Sequence, residues 1–161
     1  MPRYEFNPTS VVANIEVFPK GEYEFQIGEP KAFSRQAGED QHDSFGVRYP
    51  LVIKAPGQYD GKRTVFSTYY QSEGGRSMAK QFMMAALGYG RGGEEEKRFD
   101  SDMRDKDWNF DPDAGTVGDA YRQLSGTRVI GTLDVGKNNK TGDAMQQFNK
   151  WRPISSGAIE Q

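Results

Sequence analysis

Aromatic rings placed two residues from cations recur along this chain. Phe33 lies between Lys31 and Arg35, Phe66 and Tyr70 follow Lys62 and Arg63, and Phe148 precedes Lys150 and Arg152. Arg48 and Lys54 place two more cations in a strand-like run between the first two groups. On an extended backbone, residues two apart share a face, so each pair can set a stacking ring beside a positive charge. That is the chemistry of a surface for single-stranded nucleic acid, because every base has a π-face and every linkage a negative charge. Any one of these residues also fits a plainer role, a ring in the core or a cation on a solvated face; the set is more informative than its members. The turn at residues 136–142 (GKNNKTG) adds Lys137 and Lys140, which could close over a phosphate backbone or simply solubilise a hairpin.

Other chemistries find little material. The chain has no Cys and one His, His42, which removes disulfide frameworks, thiolate chemistry and nearly all zinc sites. Its carboxylates gather in one segment instead of at strand ends, so neither a triad nor a metal-hydrolase site is expected, and no enzyme, cofactor or metal is predicted. Residues 88–93 (GYGRGG) formally satisfy GxGxxG, but they follow a helical stretch and run into Glu94-Glu95-Glu96, the reverse of the strand-to-helix setting that cradles a pyrophosphate. The aspartates at 100–113 lack the glycine and distal glutamate of an EF-hand loop.

The net charge of -2 hides an uneven distribution. Residues 91–113 hold nine acidic side chains against five basic ones, a net of -4, which leaves about +2 for the rest. Within that remainder, residues 121–153 carry six basic side chains against two acidic, a net of +4. A mildly acidic chain can therefore present a cationic groove. The acidic segment, 94–113, is expected to be a solvating linker, a partner-recruiting segment, or a phosphate mimic competing for the basic face; Trp108 and Phe110 within it point to some docking role.

The elements that must position these residues follow from period. At 161 residues, with 19 Gly, 8 Pro and 12% aromatics, the chain suits one small β-rich domain with long loops. Residues 1–20 read as an N-terminal arm. Tyr23, Phe25 and Ile27 alternate with Glu22, Glu24 and Gln26, the pattern of a half-buried strand, which can continue past Gly28 and Pro30 through Lys31, Phe33 and Arg35 if bent by a bulge. Phe45, Val47, Tyr49, Leu51 and Ile53 share the core parity of a second strand, with an edge or bulge at Pro50. Residues 62–70 (KRTVFSTYY) form a third strand of ambiguous parity, with Phe66 and Tyr70 on one face and Val65 and Tyr69 on the other. Residues 74–87 change to helical spacing, with Ser77 near the start and Gly88 placed to stop the helix. Residues 89–118 read as a long acidic insertion or disordered loop. A short helix near 117–124 precedes a fourth strand from Thr127 to Val135 and a fifth at residues 144–152, which puts Phe148, Lys150 and Arg152 on one parity and Met145 and Trp151 on the other.

Strand, strand, strand, helix, strand, strand is the order of a mainly β, five-stranded OB-like Greek-key barrel with its helix between strands 3 and 4. The domain is expected over 21–153, with a tail at 154–161. The Pro19-Lys20-Gly21-x-Tyr23 segment, Gly57-x-x-x-Gly61-Lys62-Arg63, the helix and the closing Lys150-Trp151-Arg152-Pro153 resemble a family of phage-encoded OB-fold single-stranded DNA-binding proteins found with replication and recombination genes. The resemblance implies a non-catalytic protein that coats and protects single-stranded DNA in the host cytoplasm; homo-oligomerisation stays open. Many such proteins end in an acidic tail that recruits replication enzymes, whereas this chain ends SSGAIEQ, so the resemblance implies that any recruiter of replication or recombination proteins here is the internal acidic segment, 94–113. The competing readings are an adaptor that binds a protein through the barrel or a strand edge, and an RNA-binding module. No apolar run reaches the length of a membrane span and no signal peptide is evident.

Overall fold

A computed structural model describes residues 17–35, 43–54, 57–137, 139 and 141–159. In chain order these form β1 (Gly21–Ile27), β2 (Lys31–Arg35), β3 (Ser44–Ile53), β4 (Arg63–Tyr69), α1 (Glu73–Ala86), α2 (Gly93–Met103), β5 (Phe110–Asp111), β6 (Thr116–Val117), α3 (Asp119–Arg122), β7 (Arg128–Lys137) and β8 (Ala144–Pro153), followed by one 3-10 turn, Ile154–Ser156. The fold is mainly β and antiparallel. One six-stranded sheet runs β2-β3-β1-β7-β8 with β4 on the other edge of β3, and β5 pairs β6 separately. Of the arm expected over residues 1–20, residues 1–16 lie outside the described residues, whereas Phe18 is fully buried in the core and its N–H donates to the Gln146 side-chain oxygen at 2.7 Å.

The expected first strand is two strands. Ile27 pairs Leu51 and Lys31 pairs Arg48, so residues 28–30 oppose only Tyr49 and Pro50. This extra residue bends the strand. The Pro50 carbonyl accepts from the Gly28 N–H at 2.7 Å, so the residue with no N–H to give sits where the ladder is already broken.

Three α-helices are present among the described residues: α1 and the short α3 fall where helices were expected, and α2 was not expected. Ser72, not Ser77, caps α1, its hydroxyl accepting from the Gly75 N–H at 3.0 Å; this satisfies one of the orphan donors of the first turn. Gly88, at φ 88°, ends the helix as its spacing suggested. Ala79, Phe82, Met83, Ala85 and Ala86 bury one face.

Residues 89–118, read as a loop, hold α2 and the β5–β6 hairpin. Glu94, Glu95 and Glu96 occupy the first turn of α2, where the helix dipole favours negative charge. Phe99 is buried edge-on against Tyr89, ring centroids 5.3 Å apart. Lys80 of α1 bonds Glu96 at 2.9 Å and Asp100 at 2.8 Å. The turn of the hairpin is held by the Asp111 carboxylate, which accepts from the Asp113 and Ala114 N–H groups.

The sheet does not close into a barrel: among the described residues no ladder joins β4 to β8. Side chains fill the gap instead. Phe66 of β4 and Phe82 of α1 each lie 4.7 Å from the Trp151 ring of β8, and with Phe25, Tyr49 and Leu133 they form one continuous core. Among the described residues no helix is long and apolar enough to cross a membrane.

Candidate nucleic-acid interface

The buried side of β3 carries Val47, Tyr49, Leu51 and Ile53, so alternation sends Gly46, Arg48, Pro50 and Val52 outward. Cross-strand register extends this outer face into rows. Phe33, Gly46 and Tyr69 form one row and Lys31, Arg48 and Ser67 the next, with Arg35 beyond Phe33 and Arg63 opposite Val52. Phe33 meets Tyr69 edge-to-face, centroids 5.6 Å apart at 89°, and the Arg48 guanidinium lies 4.7 Å from the Phe33 centroid. Such a contact holds both ring and cation in place. Tyr69 is 43% exposed, which leaves ring surface for a partner. A Cβ at Gly46 would stand 1.8 Å from the Thr68 carbonyl oxygen, so the row requires glycine at its centre. Among the described residues Lys31, Arg35, Arg48, Lys54 and Arg63 enter no ion pair.

The structure thus brings Lys31, Phe33, Arg35, Arg48 and Arg63 onto one surface, with Lys54 just past the end of β3. Phe66 and Tyr70 are a correction. Phe66 is 5% exposed inside the core, and the Tyr70 hydroxyl lies 3.0 Å from that of Tyr121. The ambiguous parity of β4 resolves the other way, and Tyr69 is the exposed ring that sequence reasoning missed. Its signal was present, since Tyr69 shares parity with Arg63, and a core strand rarely turns a cation inward. Arg76 was also missed; its guanidinium donates to the Tyr70 carbonyl at 2.7 Å, beside the same row.

The fifth strand departs further from expectation. Thr132 pairs Lys150 but Leu133 pairs Phe148, so Asn149 is an extra residue in β8. The bulge reverses parity. Phe148 therefore points inward with Trp151, the two rings stacked at 5.5 Å and 14°, and it also lies 5.0 Å from Phe66. Arg152 points outward but is occupied: it bonds both Glu22 carboxylate oxygens at 2.8 Å and the Ser156, Gly157 and Ala158 oxygens beyond the strand. Arg128 pairs Glu24 at 3.0 Å on the same side. Lys150 and Lys137 are exposed, Lys150 on β8 at the opposite end of the strand order from the β2 that carries Phe33, and Lys137 at the end of β7. Lys62 is exposed just before β4, and Lys140 lies outside the described residues.

The acidic segment turns its aromatics onto its own domain. Phe110 packs on Tyr70 at 4.8 Å and Trp108 on Tyr121 at 5.0 Å. Among the described residues, no ion pair links its carboxylates to Lys31, Arg35, Arg48 or Arg63. Burial pushes the Tyr121 and Tyr49 phenols well above their ordinary value of 10.0 and raises Tyr70 as well. The Tyr49 hydroxyl is buried and makes no hydrogen bond of normal geometry among the described residues, although it interacts with the Tyr70 hydroxyl. Burial opposes the Lys80 charge, but its bonds to Asp100 and Glu96 outweigh this and hold its pKa above 10.5.

Among the described residues no group of three or more His, Cys, Asp or Glu side chains could hold a metal ion. No protein-family model matches the chain, and no curated protein matches it significantly.

Proposed function

We propose that the protein binds single-stranded DNA without catalysis, through the outer face of β2, β3 and β4. The observation that carries this reading is the Phe33–Tyr69 ring pair with Arg48 over Phe33, set among the exposed Lys31, Arg35 and Arg63, which enter no ion pair among the described residues. Stacking supplies sequence-tolerant contact and the cations follow the phosphates. An OB-type arrangement is supported by the antiparallel connectivity, β1 and β2 to β3 to β4, then α1, then β7 onto β1 and β8 onto β7, with α1 packed in the gap between β4 and β8. In OB folds the strand 2–3 face binds oligonucleotides, which corresponds here to β3 and β4. A coating role in phage replication or recombination rests on the sequence resemblance.

The test is a fluorescence titration with oligo-dT at low salt, on wild type and Tyr69→Ala. Removal of one stacking ring is expected to weaken binding by about 1–3 kcal/mol, with the fold unchanged because Tyr69 is exposed. Absence of binding, equal preference for duplex, or no effect of Tyr69→Ala refutes the reading. Competition with a matched RNA strand decides the sugar preference.

A further inference from the structure

The outer face of β3 and β4 continues past the Phe33–Tyr69 row. Beyond Lys31, Arg48 and Ser67, Pro50 stands opposite Val65, and beyond that pair Val52 stands opposite Arg63. The face is therefore ordered as rings, cations, an aliphatic pair and a further cation, each row about 6.8 Å from the next. Val65 is 49% exposed, against 43% for Tyr69, and Pro50 is exposed beside it. We propose that Pro50 and Val65 form a second base platform, so that one strand lays one base on Tyr69 and another on this pair, its backbone passing the cations between and beyond them. This position presupposes the single-stranded DNA reading of the same face and extends it by one nucleotide contact.

Register supplies the surface. Directly opposed residues of an antiparallel pair set their side chains about 4.5–5.5 Å apart on one face, so the Pro50 ring and the Val65 side chain together make an apolar patch about the width of a base. A glycine keeps that patch open. On the other side of Pro50 lies Gly28, where a Cβ would stand 3.2 Å from the Pro50 Cβ and 3.3 Å from its Cγ. Gly28 does not have positive φ, so its backbone conformation does not call for glycine; the consequence of glycine there is that no side chain leans on the Pro50 ring, as Gly46 leaves the centre of the Tyr69 row bare. Charge selects the ligand. Lys31 and Arg48 lie on one side of the pair and Arg63 on the other, and among the described residues none of the three enters an ion pair; Glu29, exposed in the bend after β1, is the carboxylate set against them. Flat apolar groups joined by anions match such a sequence of rows, and that is the chemistry of a nucleic-acid strand. A protein partner matches it poorly, because two aliphatic residues between cations offer a small part of the roughly 800 Å² that a stable interface takes from each side.

The test is anisotropy of labelled oligo-dT with the full chain carrying Val65→Tyr or Val65→Ser. Val65→Tyr turns the platform into a ring and should tighten binding about threefold or more; tyrosine suits a strand as well as valine does, and a gain cannot come from unfolding. Val65→Ser should weaken binding about threefold through lost apolar contact, with circular dichroism checking that it folds. Val65 and Tyr69 are four residues apart on β4, about 13 Å, so in Val65→Ser/Tyr69→Ala the two losses should multiply. The salt dependence should be the same in every variant, since no charge is altered. No gain in Val65→Tyr, no loss in folded Val65→Ser, or no further loss when Val65→Ser is added to Tyr69→Ala overturns the second platform. An equal gain from Val135→Tyr, at a site 44% exposed on β7, also overturns it, since any added ring would then serve. Each of these results leaves the proposed function standing while Tyr69→Ala weakens binding; absence of oligo-dT binding by wild type overturns both.

Discussion

Salt should separate the two regions of the sheet's outer face, β2–β3–β4 and β1–β7–β8. Four exposed cations surround the Phe33–Tyr69 row, Lys31, Arg35, Arg48 and Arg63, and none enters an ion pair among the described residues. If each neutralises one phosphate, the counterion-release slope for a single strand is about -0.7 per contact, or about -2.8 in all. Raising salt from about 50 to 200 mM should then weaken binding about 50-fold, close to 2.4 kcal/mol. Should Arg48 serve only to hold Phe33, three contacts remain and the slope drops to about -2.1, or about 18-fold. Anisotropy of labelled oligo-dT at four salt concentrations measures this directly.

Single substitutions make the test sharper. Arg35→Ala should flatten the slope by about 0.7. Lys150→Ala should leave it unchanged, because Lys150 projects beside Thr132 on the β1–β7–β8 side. The result that refutes the reasoning is a slope shallower than about -1, or a Lys150→Ala variant that flattens it as much as Arg35→Ala does. Either would mean that the phosphates lie on the region whose glutamates already hold Arg152 and Arg128.

Three further outcomes follow from the core. Phe148→Ala should cost about 3 kcal/mol, at the low end for a half-buried ring, and lower the melting temperature by about 6–12 °C; oligo-dT affinity of the folded variant should change by less than about threefold, whereas a loss of affinity at full stability would return Phe148 to the binding surface. Tyr49→Phe removes a buried hydroxyl that makes no hydrogen bond of normal geometry among the described residues, so denaturant unfolding should show stability changed by less than about 1 kcal/mol, while Tyr121→Phe removes the Tyr70–Tyr121 hydroxyl contact and should cost about 0.5–1.5 kcal/mol. Since burial holds the Tyr49, Tyr70 and Tyr121 phenols above 10.0, the unfolded chain releases protons above about pH 10 that the folded chain keeps. Their contribution is complete below that pH and is lost as pH rises past it, so tyrosinate absorbance should rise in two phases, the second coinciding with unfolding; a single phase in the folded protein contradicts this.

The limits of the sequence reading have a common physical origin in parity. A period-2 pattern assigns faces correctly as long as residues pair one to one. It did so along β2 and β3, where Lys31, Phe33, Arg35 and Arg48 come together as their alternation implies. At Asn149 one extra residue reverses the assignment, and Phe148 passes from the solvent side to the core. No local signal in AMQQFNKWR marks that bulge, because its cause is not local: besides Trp151 of its own strand, Phe148 gains Phe66 and Phe25 as neighbours, brought there by β4 and β1. The acidic segment shows the complementary failure. Its charge reads as solvation, yet Phe99 and Met103 recur at helical spacing, and Lys80, which offsets Glu96 and Asp100, lies on another helix. A charge run reads as disorder only while its counter-charges are out of view. Here they stand on α1, and the aromatics that close the structure, Tyr70 and Tyr121, lie on either side of the segment in sequence.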